Sequence, residues 1–218
     1  MRFSKFVLIL LSVFWYGCDV QINQNFTIPA NTVLEKDLIT VNGRIMIGKN
    51  CQVYGDLSTV NGAIEIDSQT LVKASMQTVN GSIIIARSCT INGQVSTLNG
   101  AIEFSDSTEV NGNISNISGD IETRNALING KISTNFGNIS ILKNSVVNGP
   151  VIIEDNDEIP EKLRSIKVLI AGNSTLKQGL INNNRDVLVY AFIEPGSRIQ
   201  GEIVDIEIAK SIEEFENE

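Results

Sequence analysis

The sequence contains no histidine, and this absence is the most restrictive feature of its composition. Histidine is the commonest general base of enzymes and the commonest metal ligand, so its absence excludes Ser-His-Asp and Cys-His catalysis. Neither a GxxxxGK[ST] phosphate-binding loop nor a CxxC pair occurs. We therefore expect a protein that is not an enzyme, with no catalytic residue, no cofactor and no metal site.

Basic and aromatic residues are also scarce. The 17 Lys and Arg residues are outnumbered by 25 Asp and Glu residues, which gives a formal net charge of −8. This charge argues against nucleic acid or an anionic membrane surface as a partner, because both bind basic patches. Aromatic residues make up only 6% of the chain. Ile and Val carry the apolar content, and they favour strands.

What the sequence does have is a repeated four-residue word. "TVNG" starts at residues 40, 59 and 78 and returns as "TLNG" at residue 97, so the spacing is 19 residues each time. Two series of glycines keep this period apart from one step in each that is a residue shorter, and those steps indicate a single deletion between Gly119 and Gly130. The first series is Gly43, Gly62, Gly81, Gly100, Gly119 and Gly137, and the second is Gly55, Gly93, Gly112, Gly130 and Gly149, with Ala74 in its one gap.

Between the glycines, apolar and polar residues alternate, which is typical of a strand with one buried face. Aligning the repeats places the apolar residues in four columns that are predicted to face the core. The columns are Ile45, Ile64, Ile83, Ile102, Ile121, Ile139; Ile47, Ile66, Ile85, Phe104, Thr123, Ile141; Val53, Val72, Ile91, Val110, Ile128, Val147; and Leu57, Met76, Val95, Ile114, Ile132, Val151.

Asn-Gly between two apolar strands is the strongest hairpin signal, so a series of hairpins is the alternative to a stack of coils. The two glycine corners alternate at spacings of 12 and 7 residues. Antiparallel neighbours would therefore differ in length and leave backbone groups unpaired, whereas parallel pairing of each segment with its next copy leaves no mismatch. We predict an all-β fold, a single-stranded parallel β-helix (β-solenoid) with about 19 residues per coil.

In this fold the TVNG word forms a corner. Glycine is expected to permit a sharp turn with positive φ, and the asparagine amides are expected to stack as a ladder. The predicted ladder residues are Asn42, Asn61, Asn80 and Asn99, and the predicted corner residues are Gly43, Gly62, Gly81, Gly100 and Gly119. Cys51 and Cys89 fall two coils apart in one column, a separation of about 9.6 Å. This exceeds the reach of a disulfide, so both are predicted to be buried, unreactive thiols.

Residues 1–17 have the pattern of a bacterial export signal. Arg2 and Lys5 precede an apolar stretch that is too short for a membrane-spanning helix. Gly17 and Cys18 then resemble the end of a lipobox, in which the cysteine is lipidated and becomes the new N-terminus. We interpret Cys18 as a lipid attachment site, and the alternative is an ordinary signal peptide followed by an unmodified cysteine.

The rest of the chain divides by how well it keeps the repeat. Residues 18–37 lack the repeat and are predicted to form a tether and an N-terminal cap, and residues 38–154 are predicted to form regular coils. The charged segment "EDNDEIPEKLRS" predicts a surface loop. Residues 155–208 are predicted to form irregular terminal coils and a cap, and residues 209–218 a frayed acidic tail.

The words "STVNGAIEI", "TVNGSIII" and "TINGQVSTLNG", with the closing "RDVLVYAFIEPGSRIQGEI", resemble exported bacterial repeat proteins of the bactofilin-like and auto-adhesin-like kind. The resemblance covers residues 38–208. It implies a right-handed β-helix and, for bactofilins, end-to-end polymerisation into a scaffold. Bactofilins are cytosolic, whereas this chain carries an export signal and a segment that is expected to cap the stack.

We expect an exported structural or adhesive lipoprotein of the bacterial cell envelope, held to a membrane by a lipid on Cys18. Envelope proteins or cell-wall glycan are the expected partners, and self-association into a bactofilin-like filament is an alternative. A further alternative is a carbohydrate-binding or carbohydrate-active β-helix, which would use outward carboxylates such as Glu65 and Glu103. Those two lie two coils apart, too far to share a proton, so a solvated face is the preferred interpretation.

Overall fold

The computed structural model describes residues 19–155 and 164–217. Over these residues the chain forms three β-sheets of ten, ten and nine strands, and each full coil contributes one strand to each sheet. Neighbouring strands are parallel, as in the pairing of Leu38 with Leu57 and of Ile45 with Ile64, and the partners are one repeat period apart. The predicted β-solenoid is confirmed, and the hairpin alternative is wrong.

Sheet A contains β1 (Asp19–Gln21), β4 (Leu38–Thr40), β7 (Leu57–Thr59), β10 (Met76–Asn80), β13 (Val95–Asn99), β16 (Ile114–Ser118), β19 (Ile132–Thr134), β22 (Val151–Ile153), β25 (Gly179–Asn182) and β28 (Glu202–Val204). Sheet B contains β2 (Phe26–Ile28), β5 (Ile45–Ile47), β8 (Ile64–Ile66), β11 (Ile83–Ile85), β14 (Ile102–Phe104), β17 (Ile121–Arg124), β20 (Ile139–Leu142), β23 (Arg164–Ile170), β26 (Val187–Ile193) and β29 (Glu207–Ile208). Sheet C contains β3 (Val33–Leu34), β6 (Gln52–Val53), β9 (Leu71–Val72), β12 (Thr90–Ile91), β15 (Glu109–Val110), β18 (Leu127–Ile128), β21 (Val146–Val147), β24 (Thr175–Leu176) and β27 (Arg198–Ile199). A single helix, α1 (Ile212–Asn217), follows the last strand of the described chain.

The core is the space enclosed by the three sheets. Every member of the four predicted columns is buried, with at most 2% of its surface exposed. Side chains alternate across each strand, so the residues between the core positions point outward. The sequence alternation therefore predicted the inward face correctly in all three sheets.

Each coil turns at three corners, whereas the glycine spacing indicated two. The third corner follows the sheet B strand and is formed by residues other than glycine with φ between 45° and 62°. Its left-handed residues in consecutive coils are Asn31, Asn50, Gln69, Ser88, Ser107 and Asn125. Asparagine tolerates this conformation best, because its short polar side chain bonds to the local backbone. The corner splits the longer segment between glycines into the strands of sheets B and C.

The single deletion in the repeat lies at this third corner. Phe104 pairs with Thr123 at the full repeat period, whereas Glu109 pairs with Leu127, one position short of that period. One residue is therefore missing between Thr123 and Leu127, within the predicted interval.

Residues 19–37 form a complete first coil, where the sequence predicted a tether and a cap. Asp19 pairs with Leu38 and Phe26 pairs with Ile45, in the same register as the regular coils that follow. Polar Asp19 therefore occupies the column that holds leucine, isoleucine or valine in most of the later coils. This substitution suits the edge strand of the described sheet, because a charged residue in an inward column opposes pairing with another chain.

The other end of the chain is helical rather than frayed. Ser211 caps the start of α1, since the Glu214 amide donates to Ser211 Oγ at 3.2 Å, and the Lys210 amide donates back to Glu214 Oε2 at 2.7 Å. Phe215 is only 6% exposed, and its ring lies 6.1 Å from the Phe192 ring of β26. An apolar anchor therefore fixes the acidic segment to the outer side of sheet B.

Candidate functional site

The corner glycines are required by the close approach of adjacent coils and not by a left-handed backbone. Among the predicted corner glycines only Gly119 has φ in the left-handed region, at 119°. At Gly62 a Cβ atom would lie 1.9 Å from the backbone oxygen of Gly43, and at Gly81 it would lie 2.0 Å from that of Gly62. The expected positive φ is therefore wrong for Gly43, Gly62, Gly81 and Gly100, whose lack of a side chain is what matters.

From the second word onward, the threonine of each word binds the backbone carbonyl of the corner glycine in the preceding coil. Thr59 Oγ1 donates to the backbone oxygen of Gly43 at 3.0 Å, and Thr78 Oγ1 donates to that of Gly62 at 3.1 Å. Both threonines are buried, with 2% exposure. The hydroxyl thus satisfies a carbonyl that faces the glycine of the next coil, so threonine and glycine act together at each corner.

The asparagines of the word form a continuous amide ladder on the surface. Asn61 Nδ2 donates to Asn42 Oδ1 at 2.8 Å, Asn80 to Asn61 at 2.9 Å, and Asn99 to Asn80 at 3.0 Å. Asn23 of the first coil extends the ladder by one step, since it accepts from Asn42 at 2.6 Å. The ladder therefore ties five successive coils together at one corner.

A second ladder, which the sequence reasoning missed, follows the other glycine corner. Its members are Asn92, Asn111, Asn129 and Asn148, joined by amide hydrogen bonds of 2.8, 2.6 and 2.5 Å. The signal was present in the sequence, because each of these residues precedes a glycine of the second series. The two ladders overlap near the middle of the stack, and together they run from Asn23 in the first coil to Asn148 in the seventh.

We expect Asn80→Asp to destabilise the protein by about 1–2 kcal/mol at pH 7. Aspartate can accept from Asn99 but cannot donate to Asn61, and it places a negative charge against the Asn61 Oδ1 acceptor. This environment raises the pKa of the introduced carboxyl, so the lost stability returns as the pH falls and the carboxyl is protonated. Urea unfolding at pH 7 and pH 3 measures both effects, with Asn80→Ser as the uncharged control. An equal loss for both variants at pH 7 would contradict the charge argument.

Two of the outward carboxylates that a carbohydrate-active site could use, Glu65 and Glu122, are paired with arginines. Arg44 Nη1 lies 3.2 Å from Glu65 Oε1 on the next coil. Arg124 bonds to Glu122, and this hydrogen bond raises the pKa of the Arg124 guanidinium. Glu103 and Glu122 occupy adjacent strands in register. Within the described ranges no three His, Cys, Asp or Glu side chains are grouped so as to hold a metal ion.

Cys51 and Cys89 are free thiols in the core, each 1% exposed, with Thr70 between them in the column. Their Sγ atoms lie 3.3 Å from the backbone oxygens of Pro29 and Asp67, respectively. Burial raises the pKa of the Cys89 thiol above its ordinary value, which keeps it in the unreactive protonated form. The prediction of buried thiols that form no disulfide is therefore confirmed.

We expect neither core thiol to react with Ellman's reagent in the native protein, with a rate at least about 100-fold below that in urea. The Cys18→Ser variant limits the assay to these two thiols. Because the Cys89 pKa is higher in the folded chain than the unfolded value of about 8.5, thiolate formation favours unfolding. Stability should therefore fall as the pH rises above that value. Rapid native reaction of either thiol would show that the coils open locally.

The predicted signal peptide (residues 1–17) and the predicted lipid attachment site Cys18 lie outside the described residues. No helix among residues 19–155 and 164–217 is long and apolar enough to cross a membrane. A scan against protein-family models, a search of curated proteins and a search of solved structures each found no match. The chain is thus characterised by its β-solenoid fold and by the chemistry of its own corners.

Proposed function

We propose that this protein is a non-enzymatic scaffold of the bacterial cell envelope, tethered to a membrane by a lipid on Cys18. The observation that carries the proposal is that Asp19, the residue after Cys18, already lies in strand β1. A lipid on that cysteine is therefore attached directly to a rod of ten coils, about 45 Å long at the usual strand spacing. Such a short attachment fixes the position of the rod relative to the membrane and restricts its orientation, as a scaffold requires.

The surface supports a structural role. The most regular side-chain patterns of the described chain, the two asparagine ladders and the threonine–glycine corners, bond one coil to the next. The outward carboxylates Glu65 and Glu122 are held by arginine partners on neighbouring positions. These contacts stiffen the rod and leave its faces as display surfaces.

The test is the intact mass of the mature protein extracted from its native cells, repeated for Cys18→Ser. We expect a chain that starts at Cys18 with added acyl chains, and we expect both the acyl mass and membrane retention to be lost in the variant. An unmodified mass, or a start at another residue, would overturn the proposal and leave a secreted solenoid.

End-to-end association is a second candidate function, favoured by the C-terminal edge. Ile203 and Ile208 continue the core columns of Leu180 and Ala191. They are 42% and 43% exposed, whereas Leu180 and Ala191 are fully buried. An uncovered edge of this kind can template pairing with another chain. Sedimentation velocity should show a larger species that is lost in Ile203→Lys/Ile208→Lys, and a monomer for both chains would exclude this candidate.

A further inference from the structure

The most exposed large apolar side chains of the described chain are in the first coil. Ile22 is 65% exposed and Val33 is 56% exposed, and Val20 of the same coil is 37% exposed. One coil later the positions of Ile22 and Val33 hold a half-buried Val41 and a polar Gln52. At these two positions the first coil therefore presents apolar surface that the second coil does not.

These side chains are distributed around the end of the rod and not along one face. Val20 continues the outward column of Ile39 on sheet A, and Val33 continues the outward column of Gln52 on sheet C. Ile22 lies at the corner that follows β1. A partner lying along one sheet reaches only part of this rim, whereas a surface that meets the end of the rod reaches all of it.

The backbone at this end also suits an interface with polar and apolar layers. Within the described residues, β1, β2 and β3 each pair with a neighbour on one side only. Their free backbone groups need water or polar headgroups, while the apolar side chains beside them favour the hydrocarbon boundary. The interfacial zone of a lipid bilayer supplies both.

We propose that the first coil is a membrane-docking surface, so that the rod stands end-on with Val20, Ile22 and Val33 in the bilayer interface. The inference rests on the proposed lipid at Cys18, because Asp19, the next residue, already lies in β1. Asp19 is then about 3.8 Å along the chain from the lipidated residue, so the first coil lies at the membrane surface.

Charge identifies the kind of lipid surface. Lys36, the basic residue of the first coil, is paired with Asp19, and Glu35 and Asp37 flank it. Anionic lipids attract clusters of basic residues, and this coil has none. Docking is therefore hydrophobic and takes place on zwitterionic lipid.

The experiment uses the full-length protein, lipidated in bacterial cells and placed in supported phosphatidylcholine bilayers. Atomic force microscopy should show particles that rise about 45 Å, the length of the rod, rather than its smaller width. Ile22→Ser/Val33→Ser should lower this height while membrane retention persists. The matched control is Leu127→Ser/Leu188→Ser, which removes two apolar side chains of 37% and 45% exposure far from the first coil. All four positions are exposed, so both variants should fold.

Hydrogen exchange of residues 19–37 gives a second readout. We expect these amides to exchange about tenfold more slowly, or slower still, in the lipidated protein in vesicles than in the Cys18→Ser protein in detergent-free solution. An acylated protein that stands upright only with Ile22 and Val33 intact supports the inference. An acylated protein that lies flat, or whose height both variants leave unchanged, overturns the inference but keeps the proposed function. An intact mass without acyl chains overturns both the docking inference and the proposed function. The mass measurement therefore distinguishes failure of the proposed function from failure of the inference alone.

Discussion

Gly62→Ala should destabilise the solenoid by about 3 kcal/mol or more. The new methyl group would lie 1.9 Å from the Gly43 oxygen and 2.6 Å from its carbonyl carbon. Both are backbone atoms, so no rotamer change relieves the clash and the two coils must separate. Overpacking costs less where the atoms in the way belong to flexible side chains that can move. Here they belong to the backbone of the preceding coil.

The separation would spread, because each corner is bonded in several ways. Thr59 Oγ1 is held to the Gly43 oxygen at 3.0 Å, and the ladder joins Asn61 to Asn42 at 2.8 Å. A shift of the Gly62 backbone stretches both bonds. Gly62 is in turn the residue whose carbonyl faces Gly81, so the next coil is disturbed as well.

Urea unfolding followed by circular dichroism measures this loss. Ser82→Ala is the control, because it changes the residue after the next corner glycine without adding a Cβ atom, and it should stay within about 0.5 kcal/mol. A Gly62→Ala protein within about 1 kcal/mol of the parent chain would show that neighbouring coils can separate at little cost.

The repeat predicted the core because burial acts on every coil in the same way. Ile64, Ile83 and Ile102 face the same enclosed space, so one side-chain type returns once in each coil. The third corner was missed for the opposite reason. Its requirement is a left-handed backbone, which Asn50, Gln69 and Ser88 all adopt. Because several polar residue types can adopt this conformation, no single residue type recurs at the third corner.

The function of the glycines could not be read from the sequence either. Glycine differs from other residues both in its backbone freedom and in its lack of a side chain, and a repeat shows only that glycine is needed. The first coil distinguishes the two explanations: Gln24 occupies the position of Gly43, and no described coil precedes it. In the first series, each glycine from Gly43 to Gly137 lies against the backbone of the preceding coil, whereas Gln24 has no such neighbour in the described chain. This also explains why the first coil resembled a tether.

The sixth coil is where the regular pattern fails, and it carries the second large effect. It contains the third-corner deletion, and it places Thr123 in a column that holds isoleucine in every other regular coil except that of Phe104. Thr123 Oγ1 is buried and has no hydrogen-bond partner. Phe104 lies in register beside it on the preceding coil and is 2% exposed. We therefore expect the larger ring to fill the space that the smaller threonine leaves.

Phe104→Ala should accordingly cost about 3–5 kcal/mol, the usual loss for a buried phenylalanine. Thr123→Val keeps the volume and removes the unsatisfied hydroxyl, so it should stabilise the chain by about 1 kcal/mol. Urea unfolding of both variants gives the two signs directly. Destabilisation by Thr123→Val would mean that the hydroxyl bonds to a group such as a buried water.

A double-mutant cycle tests whether the two side chains share one space. Phe104→Ile alone leaves a cavity beside Thr123, and Thr123→Ile alone overpacks the ring, so each should destabilise the protein by about 1–2 kcal/mol. The double variant recreates the isoleucine column and should lie within about 1 kcal/mol of the parent chain, with a coupling energy of about 1 kcal/mol or more. Additive losses would mean that each coil packs its own side chains independently. Recovery of stability in the double variant would show that stability depends on the combined side-chain volume of two adjacent coils. A small residue in one coil is then tolerated when a larger residue in an adjacent coil compensates for it, which explains how one irregular coil persists inside a regular rod.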